Sequence, residues 1–288
     1  MTLDTSKKIL IVGLGLMGGS YAKALSDRGY EVGAITLEQA SIDYALAHGI
    51  IAHGMTEVTA EYVGQFDIVV FALYPKLFMG WVEKYQHLLK KGAILTDVTG
   101  VKGEVVYPIQ EMLRKDLEFI GAHPMAGRET SGVENANTEM FRGANYIVTP
   151  TEKNTEQAIA LCEALGRELG FARISRLAPR EHDEMIGFLS QLTHCIAVSL
   201  MTCKDAEDLV AYTGDSFRDL TRIARINEDM WSELFLMNKK TLLHEIDVFS
   251  AQLGKLRENL ADGDTEALKQ MMRLSTARRR LFDKPKGE

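Results

Sequence analysis

Along roughly the first 175 residues, short apolar or β-branched runs alternate with longer segments whose apolar positions return every three or four residues. The runs Lys8–Val12, Glu31–Ile35, Asp67–Phe71, Ala93–Thr96, Glu118–Gly121, Asn145–Val148 and Ala172–Ser175 predict strands. Between them, Met17–Arg28, Leu77–Leu88 and Glu156–Leu169 predict amphipathic helices. Strands alternating with helices are the pattern of βαβ units and a parallel sheet. After Pro179 the strand runs stop and helical period continues to the end, with Gly263 and the Tyr212–Asp215 stretch as the clear punctuation. Met185, Leu189, Leu192 and Ile196 recur at helical spacing and predict one apolar face.

The strongest local signal is Gly13-Leu14-Gly15-Leu16-Met17-Gly18, directly after an apolar strand and directly before a helical segment. In that context it reads as a dinucleotide fingerprint. Gly13 permits the tight turn, Gly15 lets the backbone approach a pyrophosphate, and Gly18 allows close packing of helix on strand. Leu16 and Met17 open the helix whose free N–H groups would receive the anion. The fold class expected is therefore α/β: an N-terminal Rossmann-type parallel sheet domain over residues 1–176, followed by an all-helical C-terminal dimerisation domain over residues 177–288. Long helices without a sheet need another surface to cover their apolar faces, so a homodimer through the helical domain is expected.

At the end of the second strand, where an acid would hold the ribose hydroxyls of NAD, the chain has Thr36. Glu38 is the nearest acid downstream, and no Arg or Lys lies between Arg28 and Lys76 to receive the extra phosphate of NADP. The pattern favours NAD, and a neutral Thr36 leaves NADP open.

With 33 Lys and Arg against 40 Asp and Glu, the chain carries a net charge of -7. A nucleic-acid or anionic-membrane partner is not expected, because phosphate binding needs clustered positive charge. The Arg278–Arg280 run reads as a solvated helix end. The longest apolar stretch, Ile9–Gly19, is too short to span a bilayer. It imitates a secretory signal, with Lys7 and Lys8 ahead and Ala22-Lys23-Ala24 behind, but the same residues spell the fingerprint. Three cysteines, Cys162, Cys195 and Cys203, form no CxxC pair and no zinc spacing, so a reducing compartment and no metal are expected.

Gly121-Ala122-His123-Pro124-Met125-Ala126-Gly127 follows a short apolar strand on the side of the sheet where ligands lie. A histidine there can exchange a proton beside a bound nicotinamide. In the helical half, Arg180-Glu181-His182-Asp183 precedes His194 on one predicted helix, and Arg218 and Arg222 stand four apart on another. The two arginines could clamp carboxylates. A surface pairing of Arg218 with Asp215 or Asp219 explains the same pattern equally well.

Taken together, GLGLMGGS at Gly13–Ser20, DVTGVKGEV at Asp97–Val105, GAHPMAG with RETSGVE at Gly121–Glu134, and DLTRIA at Asp219–Ala224 resemble the prephenate dehydrogenases of tyrosine biosynthesis. The resemblance runs from about Lys7 to the last helix. It implies oxidation of prephenate with NAD to 4-hydroxyphenylpyruvate and carbon dioxide, in the cytoplasm. By the same resemblance, His123 takes the proton of the ring hydroxyl as hydride departs, Arg222 binds a substrate carboxylate and His194 lines the substrate pocket. His182, Glu129, Arg218 and Lys102 fall at family positions near the substrate. Relatives carry a serine where this chain has Gly100, and Thr99 or a water is the expected substitute. That departure keeps arogenate as an alternative substrate, and a non-catalytic NAD-binding sensor as the reading from another class. A β-hydroxyacid dehydrogenase is disfavoured, since no glycine-rich motif with a catalytic lysine follows Pro179. No chorismate mutase segment is expected ahead of Lys7 and no ACT-type domain after Arg280.

Overall fold

A computed structural model describes residues 3–127, 130–205 and 207–283. Its strands are β1 (Lys8–Val12), β2 (Glu31–Ile35), β3 (His53–Met55), β4 (Ile68–Phe71), β5 (Ile94–Asp97), β6 (Glu118–Pro124), β7 (Asn145–Thr149) and β8 (Arg173–Arg176). The helices are α1 (Leu16–Ser26), α2 (Gln39–Ala47), α3 (Ala60–Val63), α4 (Pro75–Tyr85), α5 (Gly103–Met112), α6 (Glu156–Leu169), α7 (Pro179–Ile186), α8 (Leu192–Thr202), α9 (Asp215–Thr221), α10 (Glu228–Met237), α11 (Lys239–Ala261) and α12 (Thr265–Arg279).

All eight strands join one sheet in the order β3-β2-β1-β4-β5-β6-β7-β8. The seven expected strands are present, most shifted by a residue or less, and β3 is an addition too short to show a period. The sheet is parallel from β3 through β6, whereas β7 runs antiparallel to β6. That pairing carries β6 three residues past its expected end, so His123 and Pro124 lie within the ladder opposite Ile147 and Tyr146. Side chains alternate between two apolar layers: Ile9 and Ile11 of β1 pack with α1, α2 and α6, while Leu10 and Val12 pack with α4 and α5.

Two compact units make up the chain, Met1–Asn238 and Lys239–Glu288. In the first, α7 and α8 are not one regular helix. A π-helical turn, Gly187–Gln191, separates them. In the second, α11 and α12 form a hairpin whose turn uses Gly263 at φ 66° and the Asp264 carboxylate, which accepts from the Ala267 N–H. Leu243, Val248, Leu253, Leu260, Met272 and Leu274 of these helices are exposed.

Candidate active site

The glycine-rich turn is built by close approach. Gly13 has φ 98° and donates its N–H to Ile35 O at 2.8 Å, and a Cβ there would collide with the Ala72 carbonyl. A Cβ on Gly18 would collide with the Gly13 carbonyl, whereas one on Gly15 would meet nothing within 4 Å. Gly15 thus faces open space, at the N-cap of α1, with no capping side chain and no acid in the first turn. The first-turn N–H groups have no intrahelical acceptor, which makes this end an anion cradle. Leu16 and Met17 are the first helical residues and are half-buried, as is Thr36 just past β2. The cradle fits the pyrophosphate of a dinucleotide.

Across the sheet, β5 and β6 end in a buried polar cluster. Asp97 and Lys102 are fully buried and paired at 2.7 Å. The Asp97 carboxylate also accepts from the Ala122 N–H at 3.0 Å and lies against the Thr99 hydroxyl. Lys102 Nζ further donates to the Ala122 carbonyl and, at 3.3 Å, to Thr99 Oγ1. Three donors therefore meet three acceptors inside the protein. Burial lowers the Lys102 ammonium, and Asp97 opposes that shift. Lys102 and Thr99, both expected on the substrate side, lie in this cluster. Both are buried at the strand ends: Lys102 holds the Ala122 carbonyl just ahead of His123, while Thr99 Oγ1 donates to the Val101 carbonyl at 2.9 Å.

His123 is joined to the helical segment by two short contacts. Its Nδ1 lies 2.8 Å from His182 Nε2, and His182 Nδ1 lies 2.8 Å from Asp183 Oδ1. Asp183 in turn accepts from the backbone N–H of Lys102 at 2.8 Å and of Gly103 at 2.7 Å, at the start of α5. Burial drives the His123 imidazole well below the ordinary histidine range, reinforced by the His182 ring and the Lys102 charge. His182 is lowered as well, mainly by burial, with Asp183 opposing. Gly100 sits beside this pair: a Cβ there would lie 3.6 Å from Leu234 and 3.9 Å from His123 Cε1, ordinary contact distances. A serine would fit, so glycine is not sterically required at this position.

The π turn changes which residues share a face. His182 and His194 are twelve residues apart, which on a regular α-helix is about 120° out of phase. One residue absorbed by the π turn brings the offset to about 20°. Gln191, at the end of that turn, donates to Leu234 O at 3.0 Å, and Asn238 Nδ2 donates to Gln191 Oε1 at 2.7 Å and to Asp183 O at 2.9 Å. These bonds clamp α10 to the segment carrying both histidines. On α10, Trp231 stacks on His194 with ring centroids 3.7 Å apart. His194 Nδ1 lies 2.9 Å from the Ser190 carbonyl. Trp231 was not singled out from sequence, where one tryptophan on an amphipathic helix gives no signal of its stacking partner.

Arg218 is exposed and pairs with Asp215 at 3.3 Å, one of the surface pairings anticipated above. Arg222 begins a 3-10 turn, Arg222–Ala224, after α9 ends at Thr221, so the shared helical face expected of the two arginines straddles a helix end. The turn packs against α8, the helix of His194. Glu129 lies outside the described residues. The Cys162 thiol is buried against Thr96 and Tyr146 and pushed up to about 11 by burial, which leaves it inert.

Comparison with known proteins gives two family matches in succession along the chain. Residues 21–174 match the family profile of the prephenate dehydrogenase nucleotide-binding domain, and residues 178–274 match that of the prephenate dehydrogenase dimerization domain. The chain is 30% identical over 268 residues to the prephenate dehydrogenase of Bacillus subtilis, covering 90% of this chain and 72% of that one. It is likewise 30% identical over 270 residues to the cyclohexadienyl dehydrogenase of Zymomonas mobilis, covering 91% of each. Among solved structures, the prephenate dehydrogenase of Aquifex aeolicus in complex with hydroxyphenyl propionate and NAD+ superposes with a TM-score of 0.89 at 32% identity, over 98% of this chain and 100% of that one.

Proposed function

The chain belongs to the prephenate dehydrogenase family, and on that premise we propose that it converts prephenate to 4-hydroxyphenylpyruvate by oxidative decarboxylation with NAD. Bound NAD supplies the acceptor for the hydride leaving the ring carbon that bears the hydroxyl. Gly13, Gly15, Leu16, Met17 and Gly18 would hold its pyrophosphate, and the neutral Thr36, just past β2, would face its ribose.

The observation that carries the catalytic part is His123, held neutral by burial at the carboxyl end of β6 and tethered through one ring nitrogen. A neutral imidazole accepts the ring hydroxyl's proton as hydride departs. The O–H bond breaks and the N–H bond forms. When the ring carboxylate leaves as carbon dioxide, the electron pair of its bond to carbon enters the ring, which becomes aromatic. The oxygen then regains the proton from His123, so the site ends with no net proton gained or lost.

Prephenate is a dianion and needs fixed positive charge. Arg222 supplies it for one carboxylate, and His194, oriented by Trp231 and the Ser190 carbonyl, lines the pocket. Lys102 acts behind this surface by holding the Ala122 carbonyl, with Thr99 Oγ1 against its ammonium. Residues 177–288 serve as the substrate-binding and dimerisation part of the chain, and the exposed apolar residues of α11 and α12 support a homodimer. The segment Pro179–Thr202 is long and apolar enough to cross a membrane. On this reading it carries His182 and His194 into the site, and the protein works in the cytoplasm. The test is turnover by the purified protein with prephenate and arogenate, each crossed with NAD and NADP.

A further inference from the structure

We propose that Asp183 is a positioning residue which, through His182, fixes the tautomer of His123 so that its Nε2 presents the lone pair to the substrate hydroxyl; this rests on the reading of His123 as the base. A carboxylate only accepts hydrogen bonds. The nitrogen of His182 that faces it at 2.8 Å, Nδ1, therefore carries the hydrogen. In a neutral ring the other nitrogen, Nε2, then has the lone pair. His123 Nδ1, 2.8 Å from that lone pair, must donate to it. The remaining nitrogen of His123, Nε2, is left as the acceptor. One carboxylate thus sets the proton positions on two rings in series, as the acid of a catalytic triad does on one.

The anchor is stiff because backbone holds it. Both Asp183 oxygens accept N–H groups at the start of α5, from Lys102 and Gly103, and the Asp183 carbonyl accepts from Asn238. His182 is fully buried, so no water competes for its ring nitrogens. The charged groups acting on the two rings are Lys102, Asp97 and Asp183, and the Lys102 and Asp97 side chains are paired with each other. When His123 Nε2 takes the hydroxyl proton, its Nδ1–H stays directed at His182, and the ring does not turn before the proton returns to the oxygen.

Nitrogen-15 spectra of the ligand-free protein near pH 7.5 test this directly, with His123 assigned by its loss in His123→Asn. The expected result is the Nδ1–H tautomer for both His123 and His182, with no second population. The Asp183→Asn variant, which can turn an amide N–H toward His182, is expected to show mixed tautomers and to lose about 100-fold or more in kcat with KM changed less than about twofold. An Nε2–H tautomer at His123 in the unmodified protein overturns the proposal, and so does an Asp183→Asn enzyme with kcat intact. If that variant does not fold, the wild-type spectrum decides alone. The expected spectra together with no turnover of prephenate would leave the tautomer assignment standing and overturn the substrate reading instead.

Discussion

Burial, a neighbouring ring and the Lys102 charge all push His123 in one direction, toward the neutral form. Replacing it with asparagine keeps a polar side chain and removes the base, so kcat is expected to fall by about 100-fold or more while KM changes little. Steady-state kinetics of the variant check this. The lowered value also sets a pH window. As pH falls through about 6.5, the unfolded chain takes up this proton before the folded one, so stability declines from there down to the folded-state value. The acid limb of kcat/KM is expected below the ordinary histidine range for the same reason. His123 stood out in the sequence as a histidine beside a glycine-flanked apolar strand run, although the strand extends through it to Pro124. Asp183 was visible only as a neighbour of His182, since its role depends on α7 packing against α5. For a similar reason, nothing in DVTGVKGEV says that the lysine turns inward to Asp97.

At the scale of elements, the Asp97–Lys102 pair ties β5 to β6 just ahead of His123. Removing one partner leaves the other as an uncompensated buried charge, which costs about 3–5 kcal/mol. Lys102→Met is accordingly expected to lower the unfolding free energy read from urea denaturation by an amount of that size, moving the midpoint down, with activity per folded molecule also reduced because the Ala122 peptide loses its tether. An unchanged midpoint would mean that Asp97 is not held as an ion pair. The βαβ alternation made most strands legible, and Glu156–Leu169 was bounded to the residue. Two things resisted. The reversal at β7 comes from a long excursion between Met125 and Ala144 that carries no helical period, and period alone does not give strand direction. The π turn at Gly187–Gln191 breaks the phase of an otherwise continuous apolar helix, and period alone gives no sign that it brings His182 and His194 toward one face.

For the whole molecule, the helical character after Pro179 and its exposed apolar positions were readable from period, and the family profiles match a nucleotide-binding part followed by a dimerization part. The compact unit formed by Lys239–Glu288 is a two-helix hairpin with exposed leucines, which is too little structure to bury its own apolar surface. Sedimentation is therefore expected to give a dimer at micromolar concentration, and a stable monomer would contradict the role assigned to these helices. The break at Asn238 was not legible, because helical period runs on from Met237 into Lys239. It is made by the Asn238 side chain, which is drawn into bonds with Asp183 and Gln191. The most direct measurement is the growth of reduced nicotinamide absorbance when the purified protein is given prephenate and NAD, with His123→Asn in parallel. Steady turnover to 4-hydroxyphenylpyruvate is expected, lowered about 100-fold or more by the substitution. Binding of NAD without turnover of prephenate, or full turnover in the variant, would contradict it.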